Sequence, residues 1–576
     1  MQPAFENSDL LLKQQTEIPT QSDLSATTLP KLALHAATHS KDWTSPRSVE
    51  NVITAPCDPA IHGALLATMA NPNLVYSEYA GLSVELEKTL VRQMANLIGY
   101  DPDQSTGIFT QGGTFGNLYG YLLGLRKQFP HSGQRGLQGQ DFRMINSLAG
   151  HYSNMTNLAL LGTDISRQVL RVEVDTNNRL DLDDFSRTLN HCFAEGIPVP
   201  TILLTFGTTD TFAIDDVERV CRINEQACKR FNVTVKPHIH VDAAVGWPLI
   251  MFNDYAFDTN PIGLNKAVLE KLQTLVPKVR GLRFADSVTI DFQKWGYVPY
   301  TASLVMFKRQ ADMEYLKQDP HYFSYFESNK TAQTHLQSTI ECSRGAAGVY
   351  GSYCALNMLG KRGYQTMVGH GLQNAEYLKA HLSALPHCKV VAADNLGPTV
   401  AFRLYQPSAN LNVDAVFQQE QSLRQVGDKV GSITQHSLFH RQHFLNRKGK
   451  QLQTNWVESI AHTEFDQHGQ CLFIPGEKAV FFKSLYTLSP YRTIYCFIAT
   501  RILDTACVNA KISKPGLPVP KVRHEQCEYR EVLQTPKDHG NIEYPDPSIR
   551  DRLKVTAHFT KARAEYIDTR HDSRKR

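Results

Sequence analysis

The feature that most constrains the fold is a regular alternation of apolar runs and amphipathic stretches between about residues 90 and 310. The runs include Pro200–Gly207, His238–Val241 and Asp286–Asp291, and stretches with helical spacing such as Asn265–Val276 lie between them. Strands that alternate with helices in this way form a mostly parallel sheet with helices on both faces. We therefore predict an α/β fold for this part of the chain.

The length of 576 residues is sufficient for two or three domains with large cores. The first residues are polar and interrupted by prolines, which favours an arm that docks on another surface. The last residues carry mixed charge and favour a peripheral tail. We predict an N-terminal docking arm, a large domain, a smaller C-terminal α+β domain and a charged extension, over residues 1–60, 61–365, 366–508 and 509–576.

Composition argues against several functional classes. A net charge of +4 on this length gives no argument for nucleic acid binding. No run of about 18 apolar residues is present, so we expect no membrane span. The cysteines, 11 in all, are scattered without the C-x-x-C spacing of a zinc or redox site, and we predict no metal. Their odd number and the lack of an export signal favour a cytoplasmic protein.

A glycine turn connects a strand-like run to a helix-like stretch within Thr106–Arg126. The turn reads Gln111-Gly112-Gly113-Thr114, and apolar residues at helical spacing follow it. Glycines permit close backbone approach, and the free amides and dipole of a helix N-terminus favour an anion. Gly113 and Thr114 are therefore candidate phosphate-binding residues, and a plain strand–helix turn is the alternative.

Three further residues follow strand-like runs. Asp242 precedes two alanines, and a carboxylate at the end of a buried parallel strand faces the crevice where ligands bind. Such a carboxylate needs a positive partner, and the small alanines would allow a flat ring to lie close. Lys294 lies between two strand-like runs, where burial would lower its pKa and make it suitable as a Schiff-base lysine. His151 is the third.

Each of these residues also has a purely structural interpretation. The alternatives are a strand-end lysine that extends to water, an aspartate that caps the next turn, and a histidine of the core. Only the combination and order of the four signals separates a catalytic site from these alternatives.

Taken in order, the four signals resemble the pyridoxal-phosphate-dependent group II amino-acid decarboxylases, which include the glutamate and aromatic-L-amino-acid decarboxylases. Thr110–Asn117 is similar to the family's T-S-G-G-T-E-A-N, and His151-Tyr-Ser to its H-x-S. His240–Ala244 matches H-V-D-A-A, and Asp291–Trp295 resembles D-x-H-K-W. The resemblance covers roughly residues 60–370 well and the C-terminal domain weakly.

The resemblance implies a fold type I transferase-like structure with a mostly parallel seven-stranded sheet and pyridoxal 5′-phosphate as cofactor. Lys294 would bond covalently to the cofactor, and Asp242 would pair with its pyridine nitrogen. His151 and Ala244 would lie against the two faces of the ring. The remaining cofactor contacts implied are the phosphate-binding Gly113 and Thr114, Thr208 near the ring hydroxyl, and Asp291 and Gln293.

The resemblance further implies a carboxy-lyase of amino-acid metabolism, which removes the α-carboxylate of an L-amino acid to give an amine and carbon dioxide. It implies a homodimer with the site at the subunit interface and residues 1–60 as a dimerisation arm. Tyr322 and Tyr325 are candidates for the loop tyrosine that returns a proton, Tyr76 and Tyr79 for lining the substrate pocket, and Arg344 for supporting the substrate carboxylate or the loop.

Departures from the family pattern keep alternatives open. Gln293 stands where the family has histidine, Phe115 where it has glutamate, and Val245–Trp247 where it has Tyr-Gly-Gly. The alternatives are another pyridoxal-phosphate carbon–carbon lyase, similar to sphingosine-phosphate lyases, and a cofactor-binding relative without activity. The substrate is left open, with Trp247 and Phe115 slightly favouring an apolar amino acid.

Overall fold

The computed structural model describes residues 52–318 and 335–422, with short pieces at 20, 40–41, 43–44, 48–49, 439–440, 442, 444, 455–457 and 476–481. Most of the predicted N-terminal arm, the whole C-terminal extension, and Tyr322 and Tyr325 lie outside these residues. Within the described part of the chain, no helix combines the length and the apolar character needed to cross a membrane.

A seven-stranded sheet forms the centre of the large domain, in the order β1-β7-β6-β5-β4-β2-β3. Strand β7 is antiparallel to β1 and β6, and the other neighbours are parallel. The prediction of a mostly parallel seven-stranded sheet is confirmed. The strands are β1 (Thr106–Thr110), β2 (Met144–Ser147), β3 (Val169–Val172), β4 (Thr201–Thr205), β5 (His238–Asp242), β6 (Ser287–Asp291) and β7 (Ser303–Phe307).

The helices of this domain connect and cover the strands, as the alternating pattern predicts. Asp181, Asp216 and Asn265 each cap the following helix by accepting a backbone N–H, which explains where three of the helices begin. The longer helices are α1 (Asp58–Ala70), α2 (Leu82–Ile98), α3 (Gly113–Gln128), α4 (Ser153–Leu160), α5 (Leu182–Ala194), α6 (Val217–Arg230), α7 (Lys266–Arg280) and α8 (Ala347–Ser383).

Helix α3 lies unusually close to the sheet because glycines face the strands. A Cβ atom on Gly116 would fall 2.5 Å from Thr289 Oγ1, and one on Gly120 would fall 2.4 Å from Cγ of His240. Larger residues would therefore force the helix away from β5 and β6. This packing fixes the N-terminus of α3 beside the ends of these two strands.

The C-terminal part contains a four-stranded antiparallel sheet in the order β10-β11-β9-β8. Helix α8 contacts this sheet and runs through the predicted domain boundary at residues 365 and 366, with a break at Gly360, where φ is 64°. The elements are β8 (Cys388–Val391), β9 (Thr399–Leu404), α9 (Val413–Ser422), β10 (Asn455–Val457) and β11 (Gly476–Val480). An α+β character is thus present, while the domain boundaries stay a prediction.

Candidate active site

A cavity of about 260 Å³ is lined by the last residues of β4, β5 and β6 and by the N-terminus of α3. Parallel strands present their carboxyl ends at one edge of a sheet, which is where ligands bind in open α/β folds. The lining residues are Gln111, Gly112, Gly113, Thr114, Asn117, His151, Ser153, Thr205, Gly207, Thr209, Asp242, Ala244, Val245, Asp291, Gln293, Lys294, Tyr300 and Thr301.

The glycine turn forms an anion-binding end of this cavity. Gly112 has a φ of 138°, which favours glycine, and Gly113 is the first residue of α3. A Cβ atom on Gly113 would lie 2.7 Å from Asp291 Oδ2, so glycine is also required by space. The first-turn amides of a helix lack intrahelical acceptors and carry the positive end of the dipole. Together with Thr114, they suit a phosphate group.

Lys294 lies beside the carboxylate of Asp291, with 3.0 Å between Nζ and Oδ2. Burial is the largest single influence and lowers the pKa of Lys294, but the carboxylates of Asp291 and Asp242 together outweigh it and raise this pKa above its usual value. The prediction of a lowered pKa is therefore wrong for this arrangement. The lysine holds a proton, and Asp291 is placed to accept it.

Gln293 is built into the wall of the cavity by both ends of its side-chain amide. Its Nε2 donates to Ser303 Oγ at 2.8 Å, and its Oε1 accepts the backbone N–H of Ala302 at 3.0 Å. Ser303 Oγ in turn donates to Asp291 Oδ1 at 2.5 Å. Gln293 thus supports the carboxylate that pairs with Lys294.

Asp242 ends β5 and is held by two N–H groups. The backbone N–H of Ala244 donates to Oδ1 at 3.1 Å, and Asn117 Nδ2 donates to Oδ2 at 2.8 Å. Both donors are neutral, so neither supplies the positive partner that a buried carboxylate at this position needs. His151 lines the same cavity, and burial lowers its pKa against the opposing effect of Asp242.

Comparison with known proteins adds an independent observation. The family model described as the pyridoxal-dependent decarboxylase conserved domain matches residues 11–405, more than half of the chain. This protein belongs to the pyridoxal-dependent decarboxylase family. The resemblance inferred from the motifs is therefore confirmed, and the cofactor is pyridoxal 5′-phosphate.

The relatives of this decarboxylase share only a low sequence identity with it. L-2,4-diaminobutyrate decarboxylase of Acinetobacter baumannii is 26% identical over 314 residues, which are 51% of this chain and 56% of that protein. Aspartate 1-decarboxylase of Aliivibrio fischeri is 27% identical over 334 residues, 53% of this chain and 54% of that protein. The chain thus spans little more than half the length of these relatives.

Solved structures show the same fold. Mouse CSAD has a TM-score of 0.67 at 17% identity and covers 87% of this chain and 91% of its own. Oryza sativa TDC with PLP and tryptamine has a TM-score of 0.66 at 15% identity, with 87% and 91% covered. At such identities the likeness concerns the fold alone.

The residues of the cavity fit the cofactor of this family. An anion cradle, an amine and a carboxylate with neutral hydrogen-bond donors match a phosphate, an aldehyde and a protonated pyridine nitrogen in chemical character. Thr205 is one of the lining residues, and its buried Oγ1 has no hydrogen-bond partner among the residues that the structure describes. Such an orphaned polar atom is typical of a site that binds a polar group.

Four predicted site residues, Thr208, Arg344, Tyr76 and Tyr79, are not among the residues that line this cavity. Thr208 does not line the cavity: its hydroxyl accepts the N–H of Ala213 at 2.8 Å, while its neighbours Gly207 and Thr209 form the wall. The positive φ of Gly207, 97°, turns the chain so that alternate residues face inward.

Arg344 is only 4% exposed, and its guanidinium pairs with Glu87 at 2.6 Å. It is not among the lining residues, so a direct contact with the substrate carboxylate in this cavity is not supported. Tyr76 and Tyr79 contact each other at 5.4 Å between ring centroids and do not line the cavity of their own chain.

Several residues that line the cavity or support its walls were not predicted from the sequence. Asn117 and Tyr300 line the cavity, and Ser303 supports Asp291. Asn117 belongs to the quoted glycine-turn motif, so a signal for it was present, whereas nothing in the local sequence distinguishes Ser303. Burial raises the pKa of Tyr300 despite the opposing effect of Lys294, so its hydroxyl keeps its proton.

Proposed function

We propose that this protein is a pyridoxal-phosphate-dependent carboxy-lyase that converts an L-amino acid to the corresponding amine and carbon dioxide. One observation carries the proposal: the amine of Lys294, the carboxylate of Asp242 and the anion cradle at Gly113 line a single cavity. Family membership and the names of the relatives, which are amino-acid decarboxylases, support the same activity.

The cavity residues have separate tasks in this reaction. Bound pyridoxal phosphate supplies an electron sink for the electron pair left on the α-carbon when the carboxylate departs. The first-turn amides at Gly113 and Thr114 would hold the phosphate, and the carboxylate of Asp242 would stabilise a protonated ring nitrogen. Lys294 would hold the cofactor through its amine, and Asp291 Oδ2, 3.0 Å from Nζ, is placed to receive the proton that the ammonium must lose first.

The reaction ends when a proton returns to the α-carbon. Tyr322 and Tyr325, outside the described residues, remain the proposed donors in a loop. Tyr300 offers a further hydroxyl, since it lines the cavity and its raised pKa keeps it protonated. A tyrosine that stays protonated is a suitable general acid for this step.

The identity of the amino acid is left to experiment. Trp247 is fully buried and donates from Nε1 to the carbonyl of Asp291 at 3.0 Å, so it supports the strand rather than the substrate. Neither Trp247 nor Phe115 lines the cavity, which removes the basis for favouring apolar substrates. The matched relatives are named for diaminobutyrate, aspartate and aromatic amino acids.

We further propose a cytoplasmic homodimer. Tyr79 is 65% exposed, and apolar side chains of α1 such as Leu66 and Met69 are also exposed. Exposed apolar groups of this kind on a large chain favour association with a second copy. Tyr76 and Tyr79 would then reach the cavity of the partner.

The alternatives receive less support. The relatives are named as decarboxylases, which disfavours a carbon–carbon lyase similar to sphingosine-phosphate lyases. Gln293, the main support for a relative without activity, has an evident task in holding Asp291 through Ser303.

A screen for carbon dioxide release tests the proposal. Purified protein loaded with pyridoxal phosphate is incubated with each common L-amino acid, L-2,4-diaminobutyrate and cysteine sulfinate, and the amine product is identified by mass spectrometry. We expect one substrate class to release carbon dioxide with wild type and not with Lys294→Ala. If the cofactor-loaded protein released carbon dioxide from none of these amino acids, the proposal would be contradicted.

A further inference from the structure

A continuous line of polar side chains runs from Lys127, near the C-terminus of α3, through the layer between α3 and the sheet to Asp242. Its members other than Lys127 are buried. The successive contacts are Lys127 Nζ to His238 Nδ1 at 3.4 Å, His238 Nε2 to Ser287 Oγ at 2.7 Å, Ser287 Oγ to His240 Nδ1 at 2.7 Å, His240 Nε2 to Asn117 Oδ1 at 3.1 Å, and Asn117 Nδ2 to Asp242 Oδ2 at 2.8 Å.

The two ends of this line determine its direction. The ammonium of Lys127 can only donate, and it is also paired with Asp312 at 2.6 Å. An ionised Asp242 can only accept. The opposite direction would require a protonated Asp242 and an N–H of His238 pointing at the Lys127 ammonium, which places two donors against each other.

The interior of the line is consistent with the same direction. Burial lowers the pKa of His240 to about 4 and lowers the pKa of His238 well below its usual value, so both rings are neutral. Each neutral imidazole carries one N–H. With Nε2 protonated in both rings, His238 donates to Ser287, Ser287 donates to His240, and His240 donates to Asn117. Every group then has a matched partner.

Two side contacts accompany the line and do not reverse it. Thr289 Oγ1 lies 3.0 Å from His240 Nε2 and can accept from the same N–H. Asn117 Nδ2 also donates to Asn154 Oδ1 at 3.3 Å. The ring of His240 packs directly on Gly120, so the line lies in a closely packed layer where hydrogen bonds are strengthened.

We propose that these side chains form a one-directional hydrogen-bond chain that stabilises the ionised carboxylate of Asp242, with Lys127 as its outermost positioning residue. The proposal rests on the proposed binding of pyridoxal phosphate in the cavity. It assigns a role in cofactor binding to a residue about 21 Å along α3 from the phosphate cradle, at about 1.5 Å per residue.

The test measures how tightly the apo-protein binds pyridoxal phosphate, and where the bound cofactor absorbs. Ser287→Ala removes the central hydroxyl with little change of volume, and Lys127→Met removes the outer cation. We expect each to weaken binding by about threefold to tenfold and to shift the absorption band, as for loss of one hydrogen bond. Because both act through one chain, the double variant should bind like Ser287→Ala alone.

Two controls separate this chain from general loosening of the fold. Thr201→Val deletes another buried hydroxyl of the same sheet, one outside the chain. Asp312→Asn removes the ion-pair partner of Lys127 and leaves its ammonium in place. Both should leave affinity and absorption unchanged, while the melting temperature of each apo-protein reports its folding.

The outcomes are distinguishable. Unchanged binding in Lys127→Met, additive losses in the double variant, or equal losses in Lys127→Met and Asp312→Asn would each overturn the chain. If Ser287→Ala does not fold, the comparison of Lys127→Met with Asp312→Asn decides alone. Failure of the wild type to bind pyridoxal phosphate would instead overturn the proposed function.

Discussion

Asp291 Oδ2 lies 3.0 Å from Lys294 Nζ, and this ion pair forms one wall of the cavity. The carboxylate is itself fixed by Ser303, which Gln293 supports. The lysine is therefore held as an ammonium beside a positioned base. The charge state of this pair is directly accessible to experiment in the apo-protein.

Asp291→Asn should make Lys294 more reactive at lower pH. The substitution removes the foremost interaction that raises the pKa of Lys294, and burial, which lowers it, remains. The pH dependence of acetylation by acetic anhydride, read by mass spectrometry on the peptide with Lys294, measures this. Asp254→Asn, next to exposed Lys361, is the matched control. An unchanged profile at Lys294 would show that Asp291 does not control the lysine.

Gln293→Leu should weaken both the fold and cofactor binding. It leaves the N–H of Ala302 without its acceptor and Ser303 without its donor, at a cost of about 1–3 kcal/mol for a buried unsatisfied group. Urea denaturation of the apo-protein and titration with pyridoxal phosphate check this. Gln93→Leu, which loses an exposed amide contact to Asn357, should change neither, and equal effects would refute the role of Gln293.

Gly113→Ala should reduce the affinity for pyridoxal phosphate at least tenfold. The new methyl group would lie 2.7 Å from Asp291 Oδ2, and a contact that close must displace the cradle or the carboxylate. Gly345→Ala adds the same methyl group where nothing lies within 4 Å and should bind normally. Fluorescence quenching on cofactor addition measures both. Normal binding by Gly113→Ala would contradict the proposed cradle.

Arg344→Met should destabilise the protein by about 3–5 kcal/mol, because it leaves Glu87 buried without its cation. The double variant Arg344→Met with Glu87→Leu should recover part of this loss in chemical denaturation. A raised KM for the substrate with unchanged stability in Arg344→Met would instead support a contact between Arg344 and the substrate carboxylate.

The buried histidines predict a loss of stability in acid. The pKa of His240 falls from 6.5 to about 4 on folding, so the unfolded chain takes up a proton first as the pH drops. The stabilisation is complete above pH 6.5 and is lost towards pH 4, by about 3 kcal/mol. Urea midpoints should fall more steeply for wild type than for His240→Gln. His381→Gln, at an exposed position, is the control, and equal slopes for wild type and His240→Gln would refute this.

The strand-end residues were predictable from sequence, whereas their supports were not. Asp242 and Lys294 follow apolar runs, and such runs place their next polar residue at the sheet edge. No local sequence pattern distinguishes Ser303 and Ser287, because their hydrogen-bond partners are determined by which strands pair. The partner of Arg344 is Glu87, 257 positions away, and no local pattern relates them. The turn at Gly207 determines which of its neighbours face inward, so the sequence alone does not show that Gly207 and Thr209 line the cavity and Thr208 does not.

The attachment point of the cofactor tests the proposed active site most directly. The wild-type protein is loaded with pyridoxal phosphate, reduced with borohydride, digested and mapped by mass spectrometry. We expect the reduced cofactor to be fixed on Lys294, and we expect Lys294→Ala to carry none. Cofactor fixed on another lysine, or a wild-type protein that retains none, would contradict it.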